Sequence, residues 1–103
     1  MMIDLSQGDI VRLPGKKDLF VVASRNAYIR ATGMLHLCVM TDHGSEGPTH
    51  VRVTGMNGTT GMVSCEQLKF IDPAAQSCSR VDRLPYRDIR EISDIIQGVF
   101  EYD

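Results

Sequence analysis

A hydroxyl, a carboxylate and an imidazole follow one another where an apolar run of the sequence ends, at Thr41, Asp42 and His43. Side chains of these types can align a reactant, move a proton or hold a metal ion, and His50 follows one short loop later. The same types are common in solvent-exposed turns, where Thr and Asp bond to nearby backbone. The residues alone therefore leave two interpretations open, the rim of a reactive site and an ordinary strand end.

Metal and covalent chemistry find little support in the pattern. A metal site built from Asp42, His43 and His50 would need three ligands that converge in space. No Ser or Cys lies in an activated turn of the kind that holds a covalent nucleophile. The cysteines are too irregularly spaced for a metal or redox motif, and we expect buried, reduced thiols. The residues alone therefore favour neither a metal site nor a covalent nucleophile.

Cationic residues are concentrated in the first half of the chain. Residues 10–52 contain six basic and three acidic side chains, whereas residues 66–103 contain five basic and eight acidic ones. The net charge is -2, so the chain as a whole does not attract a polyanion. A polyanion would have to bind a face built from the first half, where basic residues are in excess. His50, Arg52 and Thr54 alternate with two valines, which predicts a polar row on the outer face of a strand. Such a row would suit a polyanion or simply face solvent.

The elements that position these residues are mostly short strands. Apolar or alternating runs bounded by Gly, Pro, Asn or Asp predict strands at residues 9–13, 19–24, 34–41, 49–54, 62–64, 67–71 and 77–84. The connector GMNGTTG contains Asn57-Gly58, a strong hairpin signal that makes the flanking strands antiparallel. We expect one domain over residues 1–103, with a strand-rich barrel at residues 8–84.

One amphipathic helix is predicted after the strands, over residues 85–99. Pro85 suits its first turn, and five apolar residues recur at helical spacing: Ile89, Ile92, Ile96, Val99 and Phe100. The first residues lack the pattern of a secretory signal, and no apolar run approaches the roughly 20 residues needed to cross a bilayer. We therefore expect a cytoplasmic protein without a membrane partner.

Five segments of the sequence, in order, resemble the MazF/PemK/Kid family of bacterial toxins: GDIVRL, LFVVAS, TGMLHLCVMT, PTHVRVTG and GMVSCEQLKFID. With the Ile-rich helix, the resemblance extends from Gly8 to Val99. It implies a mainly β fold, a small SH3-like open barrel of the MazF/CcdB/Kid type with a C-terminal α-helix. It further implies a homodimer, a cognate antitoxin as partner, and a metal-independent endoribonuclease of the mRNA interferase type that cuts single-stranded RNA. The resemblance also implies that neither a metal ion nor a cofactor is required.

In that family, a Thr or Ser at the end of the third strand and an Arg at the start of the second strand flank the scissile phosphate. Thr41 matches the first of these positions, but Asp18 stands where the Arg is expected. A carboxylate repels a phosphodiester and lacks the forked donors of a guanidinium. We therefore expect the cationic role to move to Lys16 or Lys17. Asp18→Arg would preserve or raise cleavage if Asp18 only repels the phosphate, and lower it if Asp18 moves a proton.

The catalytic candidates are thus Thr41, Lys16, Lys17 and Asp18. The candidates for RNA binding are Arg25, Arg30, His43, His50 and Arg52. Because the family Arg is replaced, two alternatives stay open: a non-catalytic MazF-like binding protein and a gyrase-directed toxin of the related CcdB family. A dimer is also favoured by residues 34–40, since this run is apolar on both faces and would leave apolar surface uncovered on an open barrel.

Overall fold

The computed structural model describes residues 4–101, which form one six-stranded antiparallel sheet and two helices. The strands are β1 (Asp9–Arg12), β2 (Leu19–Val22), β3 (Leu35–Thr41), β4 (His50–Thr54), β5 (Thr60–Ile71) and β6 (Ser79–Arg83). The helices are α1 (Asn26–Thr32) and α2 (Tyr86–Val99). The strand order is β4-β5-β3-β2-β1-β6. The sheet curls into a half-barrel, so the expected mainly β fold with a C-terminal helix is confirmed.

Two of the predicted strands, at residues 62–64 and 67–71, are halves of the single strand β5. Cys38 of β3 lies opposite Leu68, and Met40 lies opposite Val63. Residues 64–67 therefore face only one residue of β3, and this bulge bends β5. The first half of β5 pairs with β4, and Gly58 in their connector has a φ of 95°. The predicted antiparallel hairpin is confirmed.

Helix α1 lies in a segment whose periodicity does not predict it. Only Ile29 is buried among its seven residues, so no apolar stripe marks the helix in the sequence. Its end is well defined, since Gly33 adopts a left-handed φ of 72° and donates its N–H to the Ile29 carbonyl at 2.8 Å. The Thr32 hydroxyl also donates to the Tyr28 carbonyl. The helix connects β2 to β3 and fixes where β3 begins.

Helix α2 packs one face against the sheet, close to where it is predicted. Ile92 is buried in a core cluster of the sheet, and Ile89 and Ile96 pack against the same cluster. Val99 and Phe100 expose 43% and 72% of their surface, so the apolar stripe ends earlier than the spacing predicts. No helix within residues 4–101 is long and apolar enough to cross a membrane.

The apolar run in β3 is covered within a single chain. Leu35, Leu37, Cys38 and Met40 expose 3% or less, because alternate residues pack into two different core clusters on the two faces of the sheet. These four residues therefore leave no uncovered surface that would favour a dimer, whereas Met34 and Val39 of the same run are half-buried. The dimer itself stays a prediction.

The cysteines are free thiols. Burial raises the pKa of Cys38 to about 12, with a further contribution from nearby Cys65. Burial also raises the pKa of Cys65 to about 11, with contributions from the Glu91 and Glu66 carboxylates. Both thiols stay protonated near neutral pH, and the expectation of buried, unreactive cysteines is confirmed for this pair.

Candidate active site

A cavity of about 200 Å³ lies where β3 ends beside the β1–β2 turn. It brings together three of the four catalytic candidates, Thr41, Lys17 and Asp18. Lys16 is exposed and does not line it. The other lining residues are Arg12, Leu19, Met40, Asp42 and Thr60. A larger cavity of about 670 Å³ lies near the other end of β3, away from all four catalytic candidates.

Strand register explains why these side chains meet. Leu19 of β2 lies opposite Arg12 of β1 on one side and opposite Met40 of β3 on the other. The β1–β2 turn is short, and the Lys16 N–H donates to the Leu13 carbonyl across it at 3.2 Å. This turn holds the residues that precede β2 close to the last residues of β3. The cavity is therefore formed by ordered strand ends and a tight turn.

The hydroxyl of Thr41 already has a partner in the following loop. Thr41 Oγ1 donates to the His43 carbonyl at 2.6 Å, which is the local bond expected of a Thr at a strand end. The side chain is half-buried, and its hydroxyl oxygen has two lone pairs that can accept hydrogen bonds. Gly61 fixes the approach of β5 here, because a Cβ on Gly61 would lie 2.6 Å from the Thr41 carbonyl oxygen. Thr41 is thus both a turn residue and a cavity residue.

The charges of the cavity are not paired with each other. Its lining carries two cations, Arg12 and Lys17, and two carboxylates, Asp18 and Asp42. No ion pair within residues 4–101 involves any of the four. Because a formed ion pair would have to be broken before a ligand could bind, these unpaired groups are free to contact a charged ligand.

The polar row on β4 has the orientation that the alternation predicts. Arg52 and Thr54 are exposed and His50 is half-buried, whereas Val51 and Val53 are buried. The His50 Nε2 lies 3.2 Å from Glu66 Oε1, which also accepts a hydrogen bond from the Thr49 hydroxyl. The imidazole of His50 therefore has a carboxylate neighbour, which weakens any attraction for a polyanion at that point.

Arg52 is the RNA-binding candidate that register relates most directly to Thr41. Arg52 lies opposite Met62 of β5, and Met62 lies opposite Thr41. Cross-strand partners share a face, and neighbouring strands lie about 4.8 Å apart, so Arg52 and Thr41 are on one face with backbones about 10 Å apart. An extended anion could contact both residues.

The remaining RNA-binding candidates lie outside the cavity. His43 is exposed in the loop after β3. Arg25 is exposed at the residue before α1, and Arg30 is exposed in the last turn of that helix. Within residues 4–101, no three His, Cys, Asp or Glu side chains are placed to hold a metal ion. Asp42, His43 and His50 accordingly do not form a ligand cluster.

Sequence reasoning missed two cavity residues, Arg12 and Thr60. Arg12 is the last residue of β1 and Thr60 the first of β5, where its hydroxyl donates to the Val53 carbonyl at 3.1 Å. The signal for Arg12 is its place just before a short turn, because the two strands of a hairpin bring such a residue opposite the start of the next strand. Thr60 has no comparable signal.

A curled, six-stranded antiparallel sheet with a C-terminal helix is the fold of the MazF toxins. The chain is similar to a chain of the MazE–MazF complex from Deinococcus radiodurans, with a TM-score of 0.82, 19% identity and coverage of 99% of this chain and 100% of that chain. For MazF from the same organism the TM-score is 0.78, the identity 18% and the coverage 95% and 97%.

A mycobacterial endoribonuclease in complex with its cognate antitoxin is a third similar structure. Its TM-score is 0.73 and its identity 16%, over 96% of this chain and 99% of that chain. No protein-family model and no curated protein matches the chain. The similarity therefore lies in the three-dimensional fold, which this chain shares over nearly its whole length with the MazF structures.

Proposed function

We propose that this chain is a metal-independent endoribonuclease that cuts single-stranded RNA in the cytoplasm, as the toxin of a toxin–antitoxin pair. One observation carries the proposal: the cavity at the end of β3 gathers a hydroxyl, an ammonium and a carboxylate, from Thr41, Lys17 and Asp18. The MazF fold supports it, since a mycobacterial protein of this fold is an endoribonuclease. A shared fold does not by itself fix an activity, so the side chains of the cavity carry most of the argument.

The proposed reaction uses the 2′-hydroxyl of the RNA as nucleophile. A bond forms between the 2′-oxygen and phosphorus, and the bond between phosphorus and the 5′-oxygen breaks. The products are a 2′,3′-cyclic phosphate and a 5′-hydroxyl. The protein then has three tasks. It aligns the 2′-oxygen with the phosphorus and the leaving 5′-oxygen, moves two protons, and stabilises the charge on the phosphate.

Each task has a candidate side chain in the cavity. Asp18 accepts the proton of the 2′-hydroxyl as general base, and Lys17 donates a proton to the leaving 5′-oxygen. Thr41 donates its hydroxyl hydrogen to a phosphate oxygen, for which it gives up its bond to the His43 carbonyl. The RNA on either side of the cut runs over the outer face of β4, where Arg52 contacts a neighbouring phosphate. His43, His50, Arg25 and Arg30 provide weaker and more distant contacts.

The test is cleavage of a mixed-sequence transcript by the purified protein in excess chelator. We expect fragments that end in a 2′,3′-cyclic phosphate, which phosphatase leaves intact until acid opens the ring. Intact RNA after long incubation at micromolar protein would contradict the nuclease proposal. Cleavage that requires added Mg²⁺ would contradict its mechanism.

The partners form a second part of the proposal. A cognate antitoxin is expected to lay a disordered acidic or amphipathic segment over the basic face, as coupled folding and binding allows. A homodimer is expected because apolar side chains stay exposed, among them Phe70 at 56% and Leu68 at 37%. Calorimetry with the product of a neighbouring gene tests the antitoxin, and light scattering at micromolar concentration tests the dimer. A monomeric mass would remove the dimer.

A non-catalytic binding protein is the second candidate function. It is favoured by the bond that already occupies the Thr41 hydroxyl and by a cavity with as many carboxylates as cations. This candidate predicts that the chain binds its antitoxin but does not cut RNA.

A further inference from the structure

We propose that Arg12 provides the guanidinium that contacts the scissile phosphate, in place of the cation that is missing at Asp18. The inference rests on the proposed function, because it names a further catalytic residue for the same cavity. The cation would then come from the end of β1, one strand away from the position at which the sequence suggests looking for it.

The position of Arg12 is set by the sheet. Arg12 lies directly opposite Leu19, the residue next to Asp18, and Leu19 lies opposite Met40, the residue next to Thr41. Three adjacent strands therefore place Arg12, Leu19 and Met40 in one line on one face of the sheet, with about 10 Å between the first and last backbones. Thr41, the next residue of β3, points to the other face, and it meets Arg12 only where the strands end, since both residues line the cavity there. A long side chain at Arg12 covers part of that distance, and Arg12 does line the cavity.

Arg12 is also free to act, in contrast to the arginines of the neighbouring strand. Arg80 and Arg83 of β6 both contact the buried carboxylate of Asp9, at 3.5 and 2.9 Å. Arg12 is exposed and forms no ion pair within residues 4–101. The fold therefore does not use the guanidinium of Arg12, and an exposed cation at a cavity rim is available to an anion.

The balance of charge favours a role for Arg12 in binding an anionic ligand. With Arg12 the lining carries two cations against Asp18 and Asp42, and without it the carboxylates outnumber Lys17. A phosphodiester would then enter a cavity of its own sign. Lys17 cannot replace the lost group fully, because an ammonium is a point charge whereas a guanidinium can donate two parallel hydrogen bonds to a phosphate.

The first experiment compares cleavage by the wild type, Arg12→Gln, Arg12→Lys and Arg87→Gln. Arg87 is an exposed residue of α2 outside the cavity, so its variant controls for the loss of one positive charge. We expect Arg12→Gln to lose about a hundredfold or more in kcat/KM, Arg12→Lys to recover part of it, and Arg87→Gln to match the wild type. Circular dichroism should give equal unfolding midpoints for the four proteins.

The second experiment does not depend on cleavage. Binding of a fully 2′-O-methylated RNA, which cannot react, is followed by fluorescence anisotropy between 50 and about 300 mM salt. Loss of one phosphate contact in Arg12→Gln should weaken binding and lower the slope of log K against log salt by about 0.7, while Arg87→Gln keeps the wild-type slope.

The outcomes separate the inference from the proposed function. If Arg12→Gln lowers the slope of log K against log salt but the wild type never cuts RNA, the nuclease proposal is refuted and Arg12 remains the phosphate contact. Cleavage by Arg12→Gln within threefold of the wild type, or a slope equal to that of Arg87→Gln, would overturn the inference. A wild type that neither binds nor cuts RNA would overturn both.

Discussion

The two ends of β1 use charge in opposite ways. At its start, Asp9 is fully buried and its carboxylate is surrounded by donors: the Arg83 guanidinium at 2.9 Å, the Arg80 guanidinium at 3.5 Å and the Ser6 N–H at 2.8 Å. At its end, Arg12 is exposed beside Asp18 with no ion pair inside residues 4–101. Charges that the chain itself satisfies hold strands together, and charges that it leaves unsatisfied are available to a ligand.

Asp82, on β6, is a second buried carboxylate whose hydrogen-bonding needs are met within the chain. Burial alone would raise the pKa of Asp82, but hydrogen bonds donated by Thr59, Arg83 and Asn57 outweigh that effect and lower it to about 2. The backbone N–H groups of Asn57, Thr59 and Arg83 lie 2.7 to 3.0 Å from its oxygens. This carboxylate ties the β4–β5 connector to β6, far along the chain, and stays ionised throughout the neutral range.

The largest effect is expected at Asp18, a carboxylate of the cavity that forms no ion pair within residues 4–101. Asp18→Asn removes the proposed general base and keeps the shape, so kcat should fall by a hundredfold or more, the usual contribution of general-base catalysis. Loss of a negative charge beside the phosphate should leave RNA binding equal or tighter. Single-turnover cleavage and binding of unreactive RNA measure the two quantities separately. An Asn variant as fast as the wild type would show that Asp18 only repels the substrate.

At Asp82, whose carboxylate is fully hydrogen-bonded within the chain, we expect a substitution to change the stability of the fold and the dependence of that stability on pH. The folded pKa lies below the unfolded value near 3.9, so the carboxylate contributes stability above about pH 4 that is lost as the pH falls towards 2. Asp82→Asn places an amide donor against backbone N–H groups, so this variant should unfold at lower urea than the wild type at pH 6. The gap should narrow between pH 4 and pH 2.

Urea unfolding of both proteins at four pH values tests this, and cleavage per folded molecule at pH 7 serves as control. A gap that stays constant down to pH 2 would show that the ionised carboxylate is not the stabilising group. A loss of cleavage without a loss of stability would contradict the assignment of Asp82 to the carboxylates that only hold the fold together.

A smaller effect is expected at Thr41, whose hydroxyl both bonds to the His43 carbonyl within the chain and is proposed to contact the phosphate. Thr41→Val removes a donor to the phosphate and should lower kcat about tenfold, the value of one hydrogen bond to a charged group. It also removes the bond to the His43 carbonyl, which is worth about 1 kcal/mol of stability at most. Thr41→Ser keeps the hydroxyl and should retain most activity. If Ser and Val variants lose equal activity, the hydroxyl has no role in the reaction.

Much of the fold could be predicted from the sequence, because alternation and turn residues mark the strands directly. The bend in β5 could not, since it depends on residues 64–67 facing one residue of another strand. Helix α1 could not, since one buried residue leaves no pattern. The contact between Asp9 and Arg83 joins residues 74 positions apart, and sequence spacing does not reveal it.

The candidate site divides in the same way. Thr41 is found because it matches a position of the family that the sequence resembles. Asp18 and Lys17 are found because they stand at and beside the position where that family has an Arg, and the cavity brings all three together. Arg12 is a different case, because its relation to Asp18 follows from strand register and appears only once β1 and β2 are paired. Local patterns therefore identify side chains by type, and the pairing of strands decides which of them meet.

The smallest expected effect is at Lys16, which precedes Lys17 in the β1–β2 turn. Lys17 lines the cavity and Lys16 does not, although the sequence treats them alike. Lys17→Ala should lower kcat by about a hundredfold, the usual contribution of a general acid. Lys16→Ala should stay within twofold, as expected of an exposed charge screened by salt. Both variants should unfold like the wild type, because both side chains are exposed. Equal losses for the two lysines, vanishing in high salt, would show that the turn acts only as a diffuse positive charge.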